Sequence, residues 1–202
     1  MKEVSASFGS MVILSMSKTI GVIAEDASDV DIVKHILIKY LGNGGVSVKN
    51  FVGNGCGKLK QKCDSWTENL IKRGCEHVLI FHDLDRNKEH EIREKLATKV
   101  PPEKYPNSFI IIPIQEMEAW LLSDAEAIKT VFKLSKAPKK ITDCESIESP
   151  KEYLRDLVWR LGKKRYLNTT HNEKLAEITS LINFNRCSSF KKLDKYIKAN
   201  IT

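Results

Sequence analysis

Residues 78–85 read VLIFHDLD: four apolar side chains, a histidine, and two aspartates, Asp83 and Asp85, flanking a leucine. The run 78–81 is too uniformly apolar for a half-exposed strand, so it is expected at the centre of a parallel sheet buried on both faces. On extended chain, positions two apart point the same way. Asp83 and Asp85 are therefore expected on one side, with His82 and Leu84 on the other. The same pattern recurs on both sides of this stretch. IGVIAED, residues 20–26, ends in Glu25 and Asp26; FIIIPIQEMEAW, residues 109–120, carries Glu116 and Glu118. In an alternating β/α chain, acids that follow successive strands gather at one edge of the sheet, where such folds build their sites. Grouped carboxylates repel one another unless a cation lies between them, and a hard divalent ion, Mg²⁺ or Mn²⁺, answers that need. Phosphoryl chemistry is the expectation.

The surrounding elements fit this plan. Residues 18–24 form a first strand. A helix capped by Ser28 or Asp29 follows, with Val33, Ile36, Leu37, Tyr40 and Leu41 at helical spacing. Gly42-Asn43-Gly44-Gly45 ends it. Residues 46–52 are a second strand, followed by the glycine-rich loop GNGCGK, residues 53–58. Leu59, Cys63, Trp66 and Leu70 mark one face of the next helix, which stops at Arg73-Gly74. Residues 89–99 are a charged surface helix closed by Pro101-Pro102. A fourth strand spans 109–114, and a helix begins at 117–122. The stretch 133–143 reads as an exposed connection. Ser149 and Pro150 then open a helix at the N-cap and first helical position, and two more helices lie near 172–182 and 189–199. The expected fold is α/β: a mostly parallel four-stranded sheet over residues 18–132, a helical region over 133–202 packed on it, and a poorly ordered extension over 1–17.

Composition narrows the partners. The net charge is +7, unevenly spread: residues 1–132 hold 17 Lys and Arg against 18 Asp and Glu, whereas residues 133–202 hold 16 against 8. A basic region beside an acidic site suits a polyanion, although lysines solvating outer helix faces give the same count. No apolar run approaches the roughly 20 residues of a membrane span. The segment MVILSM, residues 11–16, is too short for a signal-peptide core. The five cysteines show no CxxC pair and no zinc spacing, which fits reduced thiols in a cytoplasm.

Other motifs are weaker. Gly53, Gly55 and Gly57 precede a helix and place amide groups, with Lys58 and Lys60, where a nucleic-acid phosphate can dock; a plain loop serves equally. A P-loop is excluded, because Leu59 follows Gly57-Lys58 and Val52 stands where the first glycine belongs. Trp66 and Trp120 are expected in the core. Trp159 is expected to be partly buried, with stacking on a base as the alternative. The densest basic cluster is Lys163, Lys164 and Arg165.

VIAEDASD before a helix, IFHDLD, and the E-x-W turn in QEMEAWLLSD together resemble the Toprim domain, in a small stand-alone bacterial branch. The segment RCSSFKKLDKYI is similar to the way that branch ends, and the likeness covers roughly residues 18–202. It implies a Rossmann-like sheet in which Glu25, Asp83, Asp85 and Glu118 hold Mg²⁺ or Mn²⁺ for breaking phosphodiester bonds. It further implies a nuclease of DNA or RNA, as in phage-defence systems, acting with an ABC-type or AAA ATPase partner. Glu25 serves there as ligand or as general base. The pattern departs at one position, where Asp26 replaces the glycine that usually follows the glutamate. A receiver-like signalling domain shares VIAED but lacks the residues expected after Asp83 and a Lys-Pro after a fifth strand. A haloacid-dehalogenase-like phosphatase needs Thr or Val where Asn87 stands. The alternative to a nuclease is an idle module with the same fold that docks nucleic acid or a protein through its basic region.

Overall fold

The computed structural model describes residues 17–202. Ser17 apart, the extension expected over 1–17 lies outside the described residues. Four strands, β1 (Lys18–Ala24), β2 (Val46–Val52), β3 (His77–Phe81) and β4 (Ser108–Ile111), form one sheet in the order β2-β1-β3-β4. Every pairing is parallel. Helices α1 (Ala27–Leu41), α2 (Cys56–Lys72) and α3 (Glu89–Lys99) connect successive strands. The remainder is helical: α4 (Glu118–Leu121), α5 (Ala125–Phe132), a 3₁₀ turn (Cys144–Ser146), α6 (Pro150–Gly162), α7 (Asn168–Ile178), α8 (Leu181–Phe184) and α9 (Ser188–Asn200). This is a Rossmann-like α/β fold. The chain winds outward from β1 to β2 and then crosses back to β3, so the topological switch point lies between β1 and β3. Glu25 and Asp83 follow those two strands.

Strand alternation divides the buried side chains between two cores. Ile20, Val22, Leu79 and Phe81 face Ile36 and Leu37 of α1 together with Leu154, Leu175, Phe190 and Leu193 of the C-terminal helices. On the opposite face Ile23, Val78 and Ile80 pack with Leu59, Cys63 and Leu70 of α2 and with Ile92 and Leu96 of α3. Residues 133–202 therefore complete one core of the sheet and are not an appendage. Gly21 lets α2 lie close: a Cβ there would stand 3.0 Å from Leu70 Cδ1.

Several boundaries move for local reasons. The N-cap of α1 is Asp26, not Ser28 or Asp29; its carboxylate accepts the Ser28 N–H, and Asp29 returns the bond to the Asp26 N–H. The helix expected from 117 stops after one turn, because the Asp124 carboxylate accepts the Ala127 N–H and starts α5 separately. Helix α7 begins at Asn168, ahead of the expected 172. The connection 133–143 is not wholly exposed, since Leu134 is buried in the core. Trp120 is fully buried, whereas Trp66 is half-buried and stacks on Phe51 with ring centroids 5.3 Å apart. All five cysteines are free thiols.

Candidate functional site

Beyond Phe81 the chain leaves regular β structure yet keeps pairing toward the β4 side. The His82, Leu84 and Asp85 N–H groups donate to the carbonyls of Ile111, Pro113 and Gln115 at 3.1, 3.0 and 3.0 Å. The Asp83 N–H points toward β1, where the Glu25 side chain receives it: Oε1 accepts at 3.1 Å. The glutamate side chain thus extends the acceptor ladder of β1 by one rung. The turn beyond is tight, with Asp85 at φ 48° and Gln115 at φ 63°, both left-handed. Extended-chain alternation ends here, which corrects one expectation. His82 is fully buried but does not point away from the site. Its Nδ1 lies 2.6 Å from the Asp83 carbonyl and 3.3 Å from Glu25 Oε1.

Two further acids come from helix starts. Asp29 is buried in the first turn of α1, fixed there by the capping box. Glu118, first residue of α4, is also buried, and the C-terminal region holds it. Asn172 Nδ2 donates to Glu118 Oε1 at 3.1 Å, and the single Tyr166 hydroxyl proton is shared between Asn172 Oδ1 at 2.6 Å and Glu118 Oε1 at 3.1 Å. Asn168 Nδ2 donates to Ser28 Oγ at 3.3 Å, tying α7 to the start of α1. Glu116 is held from the α6 side. Its Oε2 accepts the Lys151 N–H at 2.9 Å and so satisfies the N-terminus of α6, whose N-cap Ser149 makes no side-chain cap.

These groups line one cavity of about 240 Å³. Its walls carry Glu25, Asp26, Asp29, Asp83, Asp85, Glu116 and Glu118, with Ser28, Gly55 and, among the described residues, a single cation, Lys151. A second hollow of about 280 Å³ shares Asp85 and Glu116. The four acids expected to act together, Glu25, Asp83, Asp85 and Glu118, all border the first cavity. Burial pushes the Glu25 carboxyl up to about 7, with Asp85 adding to the rise and Lys60 opposing it. Burial likewise raises Asp83 well above the carboxylate range, reinforced by Asp29, Glu118, Glu25 and Asp85. Asp29 is raised for the same reasons, burial first and Glu118 next. Burial holds the His82 imidazole below its usual value, hence neutral.

The donor set is all oxygen and strongly anionic, the chemistry that Mg²⁺ and Mn²⁺ take. In charge and ligand type the residues fit such an ion. Among the described residues, however, no group of three or more His, Cys, Asp or Glu side chains is gathered closely enough to hold one as they stand. Glu25 and Glu118 are engaged with N–H and O–H donors instead.

The predicted basic residues divide. Lys60 is half-buried, and its charge reaches Glu25. Lys58 is exposed on the first turn of α2. The glycine loop does not turn all its amides outward: the Gly53 and Gly55 N–H groups donate to the carbonyls of Ala24 and Glu25 at 2.9 and 3.2 Å. Lys163, Lys164 and Arg165 are exposed at the far end of α6, away from the acids. Trp159 beside them is 56 % exposed, more open than expected, with Lys163 Nζ 5.5 Å from its ring centroid. Sequence reasoning misses Asp29 as a site acid, along with Tyr166, Asn172 and Lys151. The D-A-S-D spacing of residues 26–29 is the available signal for Asp29; nothing local marks the other three.

Fold and site together define a Rossmann-like α/β protein with a carboxylate-lined cavity at the switch point of its sheet. The chain belongs to the family described as a domain of unknown function, DUF4276, whose pattern matches residues 24–197. That span takes in β1's end, the acids and nearly all of the C-terminal helices. No curated protein and no solved structure matches the chain. Among the described residues, no helix is long and apolar enough to cross a membrane.

Proposed function

We propose that this protein is a divalent-metal-dependent nuclease that hydrolyses phosphodiester bonds in DNA or RNA. The observation that carries the reading is the convergence of Glu25, Asp83, Asp85 and Glu118 on one cavity at the switch point, with Lys151 the only cation in its wall among the described residues. Glu25, Asp83, Asp85 and Glu118 would hold Mg²⁺ or Mn²⁺. Such an ion supplies charge neutralisation at a phosphate and a water of lowered pKa. The protein's own contribution is positioning. The Asp83 N–H and His82 orient Glu25, and Tyr166 and Asn172 orient Glu118, which is buried. The Toprim resemblance adds a role in phage defence beside an ABC-type or AAA ATPase.

A second reading is an idle module that binds nucleic acid or a partner without cutting. The engagement of Glu25 and Glu118 with protein donors, and the lack of a ready three-residue metal group among the described residues, favour it. Incubating plasmid, single-stranded DNA and tRNA with the protein and Mg²⁺ or Mn²⁺ separates the two. The nuclease reading expects cleavage that Asp83→Asn abolishes. Absence of cutting on all three substrates, with no metal binding by calorimetry, rejects it in favour of the idle module.

A further inference from the structure

Lys151, Arg155 and Trp159 stand four residues apart on α6, so they share one face and span about 12 Å of helix. Lys163, the C-cap, continues the row. Opposite them runs the segment 164–168. Between the two lies a groove of about 460 Å³ bordered by Arg155, Trp159, Lys164, Arg165, Tyr166 and Leu167. A smaller hollow of about 120 Å³, sharing Arg155, Tyr166 and Leu167, carries the groove on to Lys151. Lys151 is also in the wall of the acidic cavity. The three hollows thus adjoin through shared residues from Trp159 to the carboxylates, and Tyr166 touches both ends, lining the groove while its hydroxyl holds Glu118.

We propose that this groove is a binding track for single-stranded nucleic acid and leads the strand to the acidic cavity. The inference rests on the nuclease reading for what happens at the end of the track, but not for binding itself. Three observations choose this occupant. First, four cations line the path against two acids, Glu152 and Asp156. Both acids are already paired with Arg155, at 3.7 and 3.1 Å. Lys151, Lys164 and Arg165 make no ion pair among the described residues, and Lys164 and Arg165 are exposed to an incoming phosphate. Second, Trp159 at 56 % and Leu167 at 41 % exposure present an apolar platform between the cations. A base stacks on such a face only when it is unpaired, so a duplex gains nothing from it. Third, a cavity walled by seven acids repels a polyanion, and a cationic approach ending at its rim brings a phosphate in against that field.

Anisotropy of fluorescein-labelled oligo(dT) and oligo(rU) of about 20 nucleotides, and of a duplex of the same length, in EDTA at fixed salt reads the track without cleavage. Wild type should bind at least one single strand more tightly than the duplex, and the two oligonucleotides distinguish DNA from RNA. Trp159→Ala should weaken single-strand affinity about tenfold, the scale of one lost base stack, and leave the duplex unchanged. Lys164→Ala with Arg165→Ala should flatten the salt dependence. All three side chains are exposed, so unchanged circular dichroism and melting temperature establish that the variants fold. If wild type prefers the duplex, or Trp159→Ala binds single strands like wild type, the track is wrong even where Mg²⁺-dependent cutting is seen. If Trp159-dependent binding is found without any cutting, the track stands and the nuclease reading falls.

Discussion

Glu25 Oε1 accepts the Asp83 N–H at 3.1 Å, so a side chain stands where the β1 backbone would have placed a carbonyl. The two strands that define the switch point are joined at their ends by one of the acids of the cavity. His82, fully buried, presses Nδ1 to within 3.3 Å of the same oxygen. The carboxylate is thereby fixed in position by groups that carry little charge, while burial and the neighbouring Asp85 oppose its ionisation.

This arrangement makes stability depend on pH in a definite direction. Glu25 is held at about 7 against an ordinary 4.5, and Asp83, Asp29 and Glu116 shift the same way. Between those values the folded protein binds more protons than the unfolded chain, so stability falls as pH rises through about 7. For Glu25, burial and then Asp85 push in this direction; the Asp83 N–H and Lys60 oppose it. For Glu25, whose side chain is only 16 % exposed, the shift corresponds to about 3 kcal/mol. Urea unfolding in EDTA should show the wild type less stable at pH 8 than at pH 5.5. Glu25→Gln should shrink the difference. Equal stability at both pH values would contradict the electrostatic account.

Asp83→Asn removes an ionisable group whose charged form burial and the nearby Asp29, Glu118, Glu25 and Asp85 all disfavour. In EDTA the melting temperature should rise or stay level. Under the proposed function, added Mg²⁺ should raise the melting temperature of the wild type but not of this variant. A clear fall in EDTA would instead identify Asp83 as a structural hydrogen-bonding residue.

Asn172 tests the support of Glu118. Its amide donates to Glu118 Oε1 and its carbonyl accepts from Tyr166. Asn172→Asp keeps the shape, removes the donor and sets a second carboxylate against Glu118 in a buried place. The expected loss is about 2 kcal/mol or more at pH 8, recovered in part at pH 5.5, where one of the pair can protonate. A loss independent of pH would mean that packing, not charge, is what the asparagine provides.

Asp26 occupies the position where the Toprim pattern has glycine, and the backbone shows that no glycine is required. Asp26 is extended, at φ −128° and ψ 156°, and caps α1 with its side chain. Asp26→Ala should cost about 1 kcal/mol and Asp26→Gly only a few tenths. The two variants compared by thermal melting give the ordering; equal costs would show that the cap bond contributes nothing.

The sheet is legible in the sequence because its signals are local: uninterrupted apolar runs at residues 20–24 and 78–81, each followed by acids, leave little freedom of assignment. The acids of the cavity are legible because strand ends in such a topology must converge. What stays hidden depends on the third dimension. Tyr166 and Asn172 are separated from Glu118 by 48 and 54 residues, and no spacing rule links them. Alternation misplaces His82 when carried one residue past the end of β3, where the chain has begun to turn. Trp159 defeats sequence reasoning because hydrophobic neighbours on a helix say nothing about whether another element covers its face.

Glu116 leaves the loop beyond β4 with acids on one side and reaches the first turn of α6 on the other, accepting the Lys151 N–H at 2.9 Å. The negative cavity and the basic row on α6 are thus hitched together by a single carboxylate. Its anionic form is favoured by the positive end of the helix and disfavoured by burial and by Glu118 and Glu152 nearby. The charged form makes this the stronger hydrogen bond, and it gives α6 the side-chain acceptor that Ser149 does not supply. One carboxylate thus serves both as wall of the acidic cavity and as cap of the basic helix.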